Sequence, residues 1–128
     1  MARAAVTGSS GKLGRAVVTH LVEQGWDVLA LDRVPSPRAD VESAVVDLTD
    51  SGQAVEALAD FDEHRAPIDA LVHLAAVPAP GLLPNAATFA NNVTASYNVY
   101  SAALRAGVRK IVWASSETVL GLPFDEAP

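Results

Sequence analysis

The stretch Ala4-Ala5-Val6-Thr7-Gly8-Ser9-Ser10-Gly11-Lys12-Leu13-Gly14 decides how the rest of this chain is read. A short apolar run reaches Thr7-Gly8, a Gly/Ser turn follows, and Leu13, Val17, Val18, Leu21 and Val22 then recur at helical spacing. The pattern is strand, tight turn, helix. Its glycines stand at relative positions 1, 4 and 7. Gly8 permits the turn, Gly11 lets backbone approach a pyrophosphate with no Cβ in the way, and Gly14 lets helix and strand pack closely. Backbone N–H groups opening the helix point to the same place, so Gly8, Ser10, Gly11, Lys12, Leu13 and Gly14 form a candidate phosphate cradle. The Walker-type P-loop fails on spacing: two residues, not four, separate Gly8 from Gly11, and Leu13 rather than a hydroxyl residue follows Lys12.

Working outward, Gly25 terminates the first helix and Val28-Leu29-Ala30-Leu31 forms a second strand closing on Asp32. Asp32 lies 21 residues after Gly11, where a dinucleotide fold places the acid that accepts hydrogen bonds from the adenosine ribose. A carboxylate there selects NAD and repels a 2′-phosphate. Arg33 follows directly and supplies compensating charge, which leaves NADP possible. Pro35 and Pro37 make a loop, Ala44-Val45-Val46 a third strand, and Asp47 at its end faces the adenine side. Thr49 or Asp50 caps a helix carrying Val55, Ala57, Leu58 and Phe61, which ends before Pro67.

Ile68 to Ala76 is a fourth strand with the unbroken apolar character of a sheet interior. Pro78, Pro80, Gly81 and Pro84 then enforce a loop. From Asn85 to Ala106 a long helix places Phe89, Val93, Tyr97, Tyr100 and Leu104 at three- and four-residue steps and is expected to lie along the sheet. Gly107 ends it, and Ile111-Val112-Trp113-Ala114 is a fifth strand delivering Ser115 and Ser116 at its carboxyl end. Strand and helix alternate throughout. The expected fold is α/β, a doubly wound parallel sheet of Rossmann type with strand order 3-2-1-4-5.

Composition narrows the function. The 128 residues suit one domain, since domains run roughly 100–200 residues. Half of the chain is hydrophobic, enough for a core, and 9 basic against 15 acidic residues leave a net charge of −6 that argues against nucleic acid as a partner. No cysteine is present, which removes disulfides, thiolate catalysis and cysteinyl metal sites. His20, His64 and His73 show no ligand spacing, so no metal is expected. His73, in an apolar strand, reads as a hydrogen-bonded structural residue, and Trp26 as packing beside a loop. No apolar run approaches the ~20 residues of a membrane span, and no signal peptide is visible. A cytoplasmic protein acting on a small molecule is the expectation.

With these residues in hand, the chain resembles the extended short-chain dehydrogenase/reductase family, the NAD-dependent sugar epimerases and dehydratases. The resemblance rests on the loop Thr7 to Gly14, Asp32, Asp47-Leu48, His73-Leu74-Ala75-Ala76, Asn91-Asn92-Val93 and Ala114-Ser115-Ser116-Glu117-Thr118-Val119-Leu120-Gly121. It implies that Leu74, Ala75 and Ala76 pass beneath the cofactor, that Asp47, Leu48 and Asn91 contact it, and that Ser116 is the catalytic hydroxyl. It also implies that Ser115, Glu117 and Thr118 meet substrate, and that the protein is a homodimer built through the long helix.

The family's base is a tyrosine with a lysine four residues later. Tyr97 and Tyr100 are followed at that spacing by Ser101 and Leu104, so the pair is expected beyond Pro128, together with a substrate-binding region. The isolated chain is then expected to bind cofactor without useful turnover. The activity implied is hydride transfer at a secondary alcohol or carbonyl of a sugar, sugar acid or nucleotide sugar. A reading from a different class is an NAD(P)-sensing regulatory or binding module that keeps the fold without the chemistry.

Overall fold

The computed structural model describes residues 1–59 and 66–116. Along the chain run β1 (Arg3–Thr7), α1 (Lys12–Glu23), β2 (Asp27–Asp32), β3 (Glu42–Val45), α2 (Ser51–Ala59), β4 (Ala70–His73), α3 (Asn85–Arg105) and β5 (Lys110–Trp113). The five strands are parallel in the order β3-β2-β1-β4-β5, as the sequence pattern predicts. β1 is central. Its Ala5 lies level with Leu29 of β2 and Leu71 of β4, and its Thr7 with Leu31 and His73.

Alternation along the strands sends side chains to two separate cores. Ala5, Leu29, Leu31 and Leu71 pack with Leu58 of α2 and Val99 of α3 on one face. Val6 and Val28 pack with Val18 of α1 on the other, where Trp26 also settles. One helix therefore covers one face and two the other, which is the doubly wound arrangement. Gly25 and Gly107, with φ of +79° and +73°, end α1 and α3. Asp50 is the cap of α2: its Oδ1 accepts from the N–H groups of Gly52 at 2.8 Å and Gln53 at 3.2 Å. Phe61 and His64 lie outside the described residues.

Several boundaries differ from the sequence reading. β3 starts at Glu42 and stops at Val45, because its ladder with β2 runs from Leu29 opposite Glu42 to Asp32 opposite Val45. β4 keeps only the centre of the run Ile68 to Ala76. Past His73, Leu74 N divides between Thr7 O at 3.2 Å and Thr7 Oγ1, and Ala75 N donates to Thr7 Oγ1, which takes the chain out of regular pairing. β5 begins one residue earlier and closes at Trp113.

The larger correction concerns α3. Its apolar stripe does not lie on the sheet: Phe89, Tyr97 and Leu104 are 70%, 71% and 79% exposed, and Val93 is exposed too. The inward face carries Ala95, Asn98, Val99, Ala102 and Ala103, small side chains that let α3 approach α2 closely. Tyr100 alone of the stripe turns inward, edge-on to His73 at 5.5 Å between ring centroids. Among the described residues no helix is long and apolar enough to cross a membrane.

At the amino edge of the sheet sits a buried cation that the hydrophobic pattern of β1 does not announce. Arg3 donates to Asp27 of β2 at 3.0 Å through Nη1 and to Glu42 of β3 through Nη2. One guanidinium thus ties three neighbouring strands together.

Candidate functional site

The glycine loop leaves β1 and turns back over its own helix. Gly8 has φ +66°, and a Cβ there would lie 2.8 Å from both Leu74 C and Ala75 N. A Cβ on Gly14 would lie 2.0 Å from Gly8 O. Both positions therefore require glycine, one for its backbone angle and one for the close approach of helix to loop. Gly11 caps α1 without a side-chain hydrogen bond, and no acidic residue occupies the first turn. The helical ladder begins with Arg15 N donating to Gly11 O at 3.0 Å. The N–H groups of Lys12, Leu13 and Gly14 precede it, so the positive end of α1 is open toward an anion. That opening, beside a turn with no room for side chains, fits a pyrophosphate.

The loop and the acid meet. Asp32 Oδ2 accepts from Ser10 N at 2.9 Å, and its Oδ1 accepts from Arg33 N at 2.7 Å. Ser10 Oγ donates to Pro35 O at 3.2 Å, closing the loop after β2 against the glycine turn. Asp32 is thus a strand-end carboxylate hydrogen-bonded to the glycine loop, the candidate phosphate cradle.

Across the cleft, Thr7 and His73 form a hub that places the next segment. Thr7 Oγ1 accepts from Leu74 N at 3.1 Å and from Ala75 N at 3.3 Å. Its own proton is then directed to His73 Nδ1, 2.7 Å away. Nδ1 is accordingly the acceptor, and Nε2 carries the proton donated to Ser96 Oγ at 3.1 Å. Burial drives the His73 pKa down from 6.5 to about 4, so the ring is neutral at pH 7. The hub holds Leu74 and Ala75 beneath the glycine turn.

The far side of the edge is a line of polar side chains. Asp47 Oδ1 accepts from Thr49 Oγ1 at 2.7 Å, Thr49 N at 3.0 Å and Arg33 Nη2 at 3.1 Å. The same Nη2 donates to Asn91 Oδ1 at 2.8 Å. Asn91 Nδ2 donates to Asn92 Oδ1 at 2.9 Å, which also accepts from Val77 N at 2.8 Å, and Asn92 Nδ2 returns a bond to Val77 O at 3.1 Å. Leu48 sends its side chain into the core, and its carbonyl accepts from Asn98 Nδ2 at 3.0 Å. Replacing Asn92 by alanine leaves both Val77 groups without their partner. The expected cost is about 1–2 kcal/mol in denaturant unfolding; a change within experimental error would mean that water replaces Asn92 fully.

Ser115 and Ser116 follow β5, whose continuation is tied to β4 by Ala114 N donating to His73 O at 3.2 Å. Both serines are exposed at the same edge. Glu117 and Thr118 lie outside the described residues. The structure so brings the glycine loop, Asp32, Asp47, Asn91 and the segment after His73 to one edge of the sheet. Sequence reading missed the contacts of Arg33 and the role of Thr7, which only register across strands reveals.

The family model described as the NAD dependent epimerase/dehydratase family matches residues 4–128. The chain belongs to the NAD-dependent epimerase/dehydratase family. Within and around this family, L-arabinose 1-dehydrogenase (NAD(P)(+)) of Haloferax volcanii is 36% identical over 119 residues, covering 93% of this chain and 42% of that protein. UDP-glucose 4-epimerase of Bacillus subtilis is 29% identical, over 92% of this chain and 38% of the epimerase. A short-chain dehydrogenase/reductase superfamily protein of Agrobacterium tumefaciens, solved with bound NAD, superposes with a TM-score of 0.78 at 34% identity, over 93% of this chain and 34% of that one. The chain spans 34–42% of the length of these relatives.

Proposed function

We propose that this chain is the dinucleotide-binding portion of an oxidoreductase or epimerase that transfers hydride at a secondary alcohol or carbonyl of a sugar, sugar acid or nucleotide sugar. The observation that carries the reading is the joining of an uncapped α1 N-terminus to Asp32 through Ser10 N at 2.9 Å. One end of that pair suits a pyrophosphate and the other a ribose diol. Relatives acting on L-arabinose and on UDP-glucose support the sugar class.

NAD, when bound, supplies the hydride acceptor and donor. The residues of this chain bind and orient. The N–H groups of Lys12, Leu13 and Gly14 receive the phosphates, Asp32 accepts from the ribose, and Leu74, Ala75 and Ala76 form the floor held by Thr7. Asp47 and Asn91 border the adenine side, with Leu48 contributing backbone, since its side chain lies in the core. Ser116 donates a hydrogen bond to the reacting oxygen, with Ser115 beside it, and Glu117 and Thr118 are assigned to substrate contact by the family resemblance alone. The proton-transferring tyrosine and its lysine belong, in this reading, to the part of the relatives' length that this chain does not span. A homodimer through α3 is supported by the outward face of Phe89, Val93 and Tyr97. A cytoplasmic setting accords with the lack of cysteine.

Calorimetric titration of the purified protein with NAD tests this. Saturable binding is expected, with Asp32→Ala weakening it about tenfold, the worth of a hydrogen bond to a charged acceptor. Absence of saturable binding to the unaltered protein would overturn the dinucleotide reading.

A further inference from the structure

Arg33 stands directly after the acid that would face the ribose, yet its guanidinium is committed elsewhere. A single nitrogen, Nη2, donates to Asp47 Oδ1 at 3.1 Å on the β3 side and to Asn91 Oδ1 at 2.8 Å on α3. Asp47 is itself fixed in place by Thr49, whose hydroxyl and N–H both donate to the same oxygen. Those bonds, with Arg33, hold the Asp47 carboxyl below its usual range, so it is anionic at neutral pH. Asn91 is anchored in turn through Asn92 to the backbone of Val77. Arg33 is therefore gripped from both sides by groups that are themselves held.

Charge at this edge is unbalanced. Asp32 and Asp47 oppose the single guanidinium of Arg33, with Asp50 next along the chain adding a further carboxylate near Asp47. A 2′-phosphate beside Asp32 would meet the carboxylates of Asp32 and Asp47, and the guanidinium that directly follows Asp32 in the chain is the one Asp47 retains. Dinucleotide folds that accept a 2′-phosphate do so with an arginine near this acid.

We propose that Asp47 sets cofactor choice as a positioning residue: by holding Arg33 against β3 and α3, it keeps the guanidinium from the ribose 2′ position and so favours NAD over NADP. This rests on the dinucleotide reading above. Asp47→Asn keeps an oxygen for Thr49 while removing the charge that retains Arg33, so the turn before α2 survives and the cation is released. Removing an exposed ion pair of this kind changes affinities by a few-fold rather than by orders of magnitude.

The test is calorimetric titration with NAD and with NADP of the unaltered protein, Asp47→Asn, Arg33→Ala and the double variant. The ratio of NADP to NAD affinity is expected to rise about fivefold in Asp47→Asn and to return to the unaltered value when Arg33→Ala is added. Asn91→Ala, which frees the other partner of Nη2, is expected to shift the ratio in the same direction and serves if Asp47→Asn does not fold. An unchanged ratio in Asp47→Asn, with NAD still bound, overturns the inference and leaves the dinucleotide site standing. A rise that persists without Arg33 also overturns it, because Asp47 would then act on the phosphate directly. Failure of the unaltered protein to bind either dinucleotide overturns the site and this inference together.

Discussion

Gly14→Ala is expected to cost about 3 kcal/mol or more of unfolding free energy, although alanine is the better helix former. Propensity alone favours the change by about 1 kcal/mol, since Gly14 lies within α1. Space decides otherwise. The new Cβ would stand 2.0 Å from Gly8 O and 2.8 Å from both Gly8 C and Ser9 Cα, all backbone atoms. They have little room to give, because the side of Gly8 that a Cβ would occupy already faces the backbone of Leu74 and Ala75. Relief requires prising α1 from the turn, which also opens the candidate phosphate cradle. Overpacking against backbone exceeds the usual cost of an added methyl group in a core. Urea unfolding checks the magnitude; a variant as stable as the unaltered protein would show that the turn relaxes without penalty.

The second large effect is a loss of stability on mild acidification, carried by His73. Unfolded, the ring takes its proton with a pKa near 6.5; folded, burial lowers that to about 4. Protons therefore bind the unfolded chain first as pH falls. The stabilising contribution of neutral His73 is complete above pH 6.5, declines as pH drops toward 4 and is exhausted below it. The two values differ by enough for about 3 kcal/mol over that window. Denaturation measured from pH 7.5 to 4 on the protein and on His73→Gln, which cannot titrate, isolates the effect. The two stability curves are expected to converge downward with acid, the unaltered protein falling more steeply. Parallel curves would mean that the folded ring accepts its proton without hindrance.

What the sequence disclosed, and what it hid, follows from how far apart the interacting residues lie. Gly8, Gly11, Gly14 and Asp32 were legible because turn, helix start and strand end succeed one another locally, and spacing alone places them together. The strand order was legible for the same reason, each helix returning the chain to the next parallel position. The inward face of α3 was not. Hydrophobicity ranks Phe89, Tyr97 and Leu104 above Ala95, Ala102 and Ala103, yet the smaller side chains are the ones buried. Close packing against α2 selects for size there, and a hydrophobic count cannot see it. Arg33 to Asn91 spans 58 positions and Thr7 to His73 spans 66, so neither contact leaves a local trace. The asparagines of α3 did signal themselves. Polar residues on an otherwise apolar helix demand partners, and Asn91 and Asn92 both have them.

The placement of Arg3 gives the two ends of the sheet different sensitivities to dissolved salt. The Arg3 side chain is 8% exposed although its partners Asp27 and Glu42 are 35% and 40% exposed, whereas Arg33 and Asp47 at the opposite end are 56% and 46% exposed. Mobile ions screen charges that water reaches and scarcely touch those enclosed by protein, with a screening length of about 10 Å at 0.1 M. Raising the ionic strength therefore loosens the grip on Arg33, exposed on both sides, more than the ties that the buried Arg3 makes among β1, β2 and β3. Electrolyte concentration becomes a control that acts more strongly on the carboxyl end of the sheet than on its amino end.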